Sequence, residues 1–124
     1  MGNLLLVMLG GALGAGTRHL VGRAFLLAAG PGFPWGTLTI NVTGGLLMGL
    51  LVGTLVRLHL GEGWRLFLAV GVLGGYTTFS SFALDAVTLA QRGAMLPALG
   101  YVLASGVGAI GALVAGLALA RVAA

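Results

Sequence analysis

Few side chains in this sequence could do chemistry, and those that could share a polarity. Two carboxylates are present, Glu62 and Asp85. Glu62 falls between Arg57 and Arg65 in a polar connection and reads as a solvated loop residue. Asp85 lies at the edge of an apolar segment; a proton-relay acid is one reading, and an interfacial residue paired with an arginine is the favoured one. His19 and His59 stand beside arginines at segment ends, with no third ligand in view for a metal. Cysteine is absent, which removes disulfides and thiolate metal sites and leaves the redox compartment open. No nucleophile and base share a recognisable spacing, so no enzyme is expected.

What remains is a set of neutral groups in apolar surroundings. Asn41 is the strongly polar side chain of its segment, with Thr37 and Thr43 as milder neighbours. Tyr101 and Ser105 are one helical turn apart on one face. Thr77, Thr78, Ser80 and Ser81 bracket Phe79, and Phe82 follows three residues later. Each group has a plain structural role: a buried Asn joins helices, a hydroxyl bonds its own turn, a Phe pair packs. Taken together, they offer positive edges, because amide N–H, hydroxyl O–H and the rim of an aromatic ring share that sign. No carboxylate accompanies them, which suits a small anion better than a cation or a proton.

The elements that must position these groups cross a membrane. The chain has 124 residues, 59% hydrophobic and 6% charged, against about 25% charged in soluble domains. A water-facing surface cannot be built from it. The six arginines are spread singly, which speaks against nucleic acid. A spanning helix needs about 20 apolar residues, and four segments qualify, at about 3–27, 33–56, 66–89 and 96–120, forming one four-helix membrane domain over 1–124. The N-terminus lacks a signal peptide's basic region, so its segment reads as the first helix, although Gly11–Ala15 could pass for a cleavage region. Trp35 and Trp64 fall at segment starts, where interfacial aromatics belong.

The third segment is all-apolar by length but contains Gly74-Gly75-Tyr76-Thr77-Thr78-Phe79-Ser80-Ser81-Phe82. Glycine costs about 1 kcal/mol against alanine in a helix, and Ser and Thr compete for the backbone. A helix broken at mid-membrane is one reading; a close-packing glycine helix is the other. Elsewhere small residues recur every four positions: Gly10 and Gly14; Gly45, Gly49 and Gly53; and Gly100, Ala104, Gly108, Ala112 and Gly116. Such spacing brings helix backbones together in lipid.

Four helices place Arg57, Arg65 and Arg121 on one side and Arg18, Arg23 and Arg92 on the other. Positive charge orients membrane proteins by the difference between sides, and here there is none. Insertion in both orientations is expected. Two opposed copies could then pair about an axis in the membrane plane, as inverted repeats do within one chain.

Three stretches resemble a known family: Gly10-Gly11-x-x-Gly14-Ala15-x-x-Arg18, Gly36-Thr37-Leu38-x-x-Asn41-x-x-Gly44, and Gly74-Gly75-x-Thr77-Thr78-Phe79-Ser80-x-Phe82. They are similar, in order, to the signature stretches of the Fluc (CrcB) fluoride channels. The fourth segment matches only through Tyr101 and Ser105. The resemblance implies an all-α antiparallel dual-topology homodimer in the inner membrane. Two passive pores would let fluoride leave the cell down its gradient and relieve its toxicity. It implies that Phe79 and Phe82 line the pore with ring edges, that Asn41 donates to the ion with Thr37 and Ser80 nearby, and that Tyr101 and Ser105 form a hydroxyl track. It also implies Arg18 at the vestibule and a structural Na⁺ at the dimer centre, held by the backbone carbonyls of Gly74 and Thr77. Carbonyls freed by a helix break are cation ligands in general. Two positions depart from the family's pattern: His19 stands where Tyr is frequent, and Ala109 lacks a hydroxyl some members carry. The residues alone ask for a small anion; fluoride is what the resemblance adds. Two rivals stand beside it. A small proton-coupled multidrug transporter would need a carboxylate in the first helix, which has none. A non-transporting assembly subunit would explain the glycines and leave Asn41 and Thr77–Phe82 without purpose.

Overall fold

The computed structural model describes residues 1–123, and all of their regular structure is helical. Helix α1 spans Gly2–Ala29 and α2 spans Trp35–Leu58. The third apolar segment holds two helices. Its first part, α3, covers residues 62–76, α-helical at Glu62–Trp64 and Gly74–Tyr76 and wound as a π-helix over Arg65–Leu73. Its second part, α4, covers Phe79–Gln91. Helix α5 spans Met95–Val122. Counting α3 and α4 as one crossing, four segments are long and apolar enough to span a bilayer.

The connections follow from their residues. Gly30 ends α1 with φ 76°, a conformation that favours glycine, and Pro31 then prevents continuation. His59 closes α2 in the left-handed region at φ 53°. Arg57 Nη1 donates to Ala120 O, so the C-terminal ends of α2 and α5 lie together. Arg92 Nη1 donates to Pro31 O at the opposite end. These two bonds set Arg57 and Arg92 at opposite ends of the bundle.

Helix packing rests on glycine. On α2, a Cβ at Gly45 would strike Ala109 O of α5. One at Gly49 would sit 2.9 Å from Leu117 N, and one at Gly53 would meet Ala120. Gly116 answers from α5, against Leu46 and Leu50. This is the four-residue spacing read from sequence, but on α5 only part of it faces α2: Gly108 and Gly116 do, and Gly100 faces open space. Gly10 and Gly14 of α1 receive α3 at Gly71 and Val72. Buried apolar side chains are few, among them Ile40, Leu55, Leu73 and Leu89, while many large ones, including Leu27, Leu96 and Ile110, face outward. That is the arrangement of a chain whose solvent is hydrocarbon.

The interruption of the third segment lies at Thr77–Thr78, where the backbone is extended (φ −79°, ψ 156° and φ −149°, ψ 125°). The sequence reading left it anywhere within Gly74–Phe82, with the glycines and the hydroxyl residues both as causes, and the structure narrows it to the threonines. Both glycines are helical, and Gly75 lies so close to α1 that a Cβ would come 2.6 Å from Gly11 O. Their small size serves close approach. The interruption is made by the threonines instead: Thr78 is the N-cap of α4, its Oγ1 accepting from Ser81 N at 3.2 Å.

Candidate functional site

The polar groups gather around this interruption. Asn41, on α2, meets Thr78 in both directions: its Nδ2 donates to Thr78 O at 2.9 Å, and Thr78 N donates to its Oδ1 at 2.9 Å. A helix start leaves N–H groups without partners and a helix end leaves carbonyls. Asn41 satisfies one such N–H, that of buried Thr78, as a hydrocarbon environment demands, and gives a second donor to the Thr78 carbonyl, which as the N-cap carbonyl also accepts the first bond of α4. One N–H of its amide remains for another acceptor.

Two cavities flank this pair. The first, about 400 Å³, is an apolar groove lined by Asn41, Thr77, Thr78, Phe79, Phe82 and Ser105, among others. Phe79 is 80% exposed, the phenyl ring least covered by its own chain. Its ring centroid lies 5.6 Å from that of Phe82, and Phe82 lies 5.3 Å from Tyr101. Ser105 is buried at the groove, and its Oγ has no hydrogen-bond partner among the described residues. Buried hydroxyls are nearly always paired, so this one is available to something that enters or covers the groove.

The second cavity, about 600 Å³, has Arg18, His19 and Arg23 in its wall. Thr37, Ile40, Ser81 and Thr78 line its interior. Thr78 thus belongs to both walls, and the Asn41–Thr78 pair is the partition between an apolar groove and a cationic vestibule.

The positions singled out by sequence are therefore brought together in two groups. Asn41, Phe79, Phe82 and Ser105 share the groove; Arg18 and Thr37 share the vestibule. Tyr101 lies in neither: it is wholly buried between Phe82 and Phe33, its hydroxyl donating to Asp85 Oδ2 at 3.2 Å. The arginine partner expected for Asp85 is replaced by this tyrosine. Asp85 projects inward one turn below Phe82, and the one ion pair among the described residues is Arg65–Glu62, exposed on both sides. Glu62 is thus paired as well as solvated. Ser80 is exposed and lines neither cavity, whereas Ser81 lines the vestibule. One residue is about 100° around a helix, so its face depends on where α4 begins. The Thr78-x-x-Ser81 spacing, a cap followed by the amide it satisfies, was the signal that fixes this start. Sequence reasoning also passed over Tyr76, whose hydroxyl lies 3.0 Å from Thr43 Oγ1.

The backbone carbonyls of Gly74 and Thr77 stand at the end of α3. In an unbroken helix Thr78 N–H would bond Gly74 O; here it is given to Asn41, which leaves the Gly74 carbonyl without that partner. An electron-rich oxygen of this kind fits a hard cation such as Na⁺.

Residues 5–117 match the family described as CrcB-like protein, Camphor Resistance (CrcB). The chain is 54% identical over 121 residues to the fluoride-specific ion channel FluC of Mesorhizobium japonicum, covering 98% of each chain. It is 55% identical over 122 residues to that of Sphingopyxis alaskensis, covering 98% of this chain and 97% of the other. It is 56% identical over 122 residues to that of a Chelativorans species, covering 98% of both.

Proposed function

The chain belongs to the CrcB-like family, and from that membership we propose that it is a fluoride-specific ion channel, a multi-pass protein of the inner membrane and not an enzyme. The observation that carries this is similarity along the whole chain to fluoride channels. Fluoride moves passively down its electrochemical gradient, and a cell interior negative to the outside drives it out of the cell.

The cavities supply a route in physical terms. Arg18 at the vestibule raises the local concentration of anions. Thr37 and Ser81 offer hydroxyls in place of water deeper in. Beyond the partition the free N–H of Asn41, the edges of Phe79 and Phe82 and the hydroxyl of Ser105 continue the donor set. Conduction requires donors strong enough to replace hydration and weak enough to release the ion. Phenyl edges mixed with a few amide and hydroxyl donors meet both conditions. Tyr101, bonded to Asp85, acts here by holding Phe82 in place, and Ser80, which is exposed, lines neither cavity.

The working unit is an antiparallel homodimer. An equal arginine count on the two sides, three and three by the order of the segments, supports insertion in both orientations. The exposed Phe79 and the unpartnered Ser105 Oγ support a second copy over the groove. The Gly74 and Thr77 carbonyls of the two copies would hold a structural Na⁺ at the centre, a site that supplies charge neutralisation between two broken helices.

The test is passive efflux from liposomes holding the purified protein, followed with a fluoride electrode and a chloride electrode as control. Rapid fluoride release without chloride release is expected. A folded protein that releases neither ion would overturn the reading.

A further inference from the structure

The extended residues 77–78 touch α2 at more than one place. Tyr76, the last residue of α3, reaches Thr43 Oγ1 with its hydroxyl at 3.0 Å. Thr43 Oγ1 also donates to Thr39 O at 2.6 Å. A hydroxyl has one proton, so Tyr76 is the donor and Thr43 the acceptor. The contacts run in mirrored order: 78 meets 41 and 76 meets 43. Between them a Cβ on Gly44 would collide with the Thr77 side chain and lie 3.4 Å from the Tyr76 ring.

On a helix, residues two apart point about 200° away from each other, or about 160° by the shorter way round. Gly44 falls within that shorter arc. The interruption therefore crosses α2 with Thr77 seated on Gly44 and one hydrogen-bonded clasp on each side. The Thr77 amide and hydroxyl are both given to Leu73 O, each at 3.0 Å. Its carbonyl is the group whose direction the two clasps set.

We propose that Thr43 and Tyr76 are positioning residues for the interrupted helix. The Tyr76–Thr43 bond is the second of two fasteners, and it fixes the peptide planes of 77–78 by holding the end of α3 as Asn41 holds the start of α4. Neither residue touches the ion; both act through Thr77 and Thr78. Only the flux arm of the test rests on the channel reading.

Backbone amide exchange is measured by mass spectrometry on the full-length protein in detergent, in peptides covering 74–82, for the parent, Tyr76→Phe, Thr43→Val, Thr43→Ser and the double variant Tyr76→Phe/Thr43→Val. Loss of one hydrogen bond corresponds to about fivefold faster exchange at Thr77 and Thr78. Both single variants are expected to show it, with exchange in α1 and α5 unchanged. The double variant should match the singles, because the two hydroxyls serve one bond. Thr43→Ser, which keeps the acceptor, should restore parental exchange. Fluoride efflux should fall in Tyr76→Phe and Thr43→Val and recover in Thr43→Ser. Parental exchange at 77–78 in both single variants overturns the proposal, as do additive effects in the double. A parent that conducts no fluoride would overturn the channel reading and leave the exchange result to decide the clasp.

Discussion

Replacing Asn41 by alanine removes both halves of its reciprocal contact with Thr78 in one step. Thr78 is 9% exposed, so water has little access to the vacated N–H. An unsatisfied buried polar group costs about 1–3 kcal/mol; this falls on the N–H, since the N-cap C=O still accepts the first bond of α4. Hydrogen bonds between helices in membranes are measured lower, at about 0.6 kcal/mol on average and about 1.7 at most, since the dissociated helices find other partners. The lower part of the range applies, and a loss of about 1–2 kcal/mol is expected. The assay is unfolding in mixed micelles against the mole fraction of sodium dodecyl sulfate, with fluoride efflux on the same preparations. An Asn41→Ala protein within about 0.5 kcal/mol of the parent, the ordinary scatter of a neutral surface change, would refute the fastening role. Abolished flux at such parental stability would assign Asn41 wholly to the ion.

Ser105→Ala should conduct less fluoride yet be as stable as the parent or about 1 kcal/mol more stable, because an unpaired buried hydroxyl is removed; a clear loss of stability would mean the hydroxyl is already satisfied. Phe79→Ile and Phe82→Ile keep bulk and lose the ring edge, so both should abolish efflux with the dimer intact by cross-linking. Phe82→Ile should also lose about 1 kcal/mol through its contact with Tyr101, and undiminished flux in both would reject the ring-edge role. Gly49→Ala pushes a methyl into the α5 backbone and should destabilise by about 1–3 kcal/mol, read in the same detergent titration. Two lysines added after Arg121 should force one orientation and reduce efflux until an oppositely biased copy is coexpressed; full activity from the biased copy alone would count against antiparallel assembly.

The four crossings were legible because hydropathy, charge scarcity and short Gly- and Pro-containing connections all act locally. The interruption was legible as a fact of composition but not in its cause. Glycine serves equally to end a helix and to let another backbone approach, and only the contact of Gly75 with Gly11 decides between them. The partner of Asp85 was illegible for a similar reason: charge suggests an arginine, and only the fold brings Tyr101 from sixteen residues away onto the same carboxylate. Ser80 and Ser81 exchanged places because the α4 phase depends on the Thr78 cap. Asn41 was recognised as polar and central. Its attachment to the backbone of Thr78 depends on a contact thirty-seven residues distant, which no local pattern encodes.

The aromatic rings form one continuous row, with centroid spacings of 5.6, 5.3, 5.6 and 4.6 Å from Phe79 through Phe82, Tyr101 and Phe33 to Trp35. One of the chain's two tryptophans thus terminates a row that begins in the groove, while Trp64 sits in a separate segment outside it. The protein carries its own optical reporter. With Trp64 replaced by phenylalanine, light absorbed by Tyr101 is passed to Trp35 and emitted there. The wavelength and yield of that emission then register any shift of the row, in unlabelled protein and without an electrode.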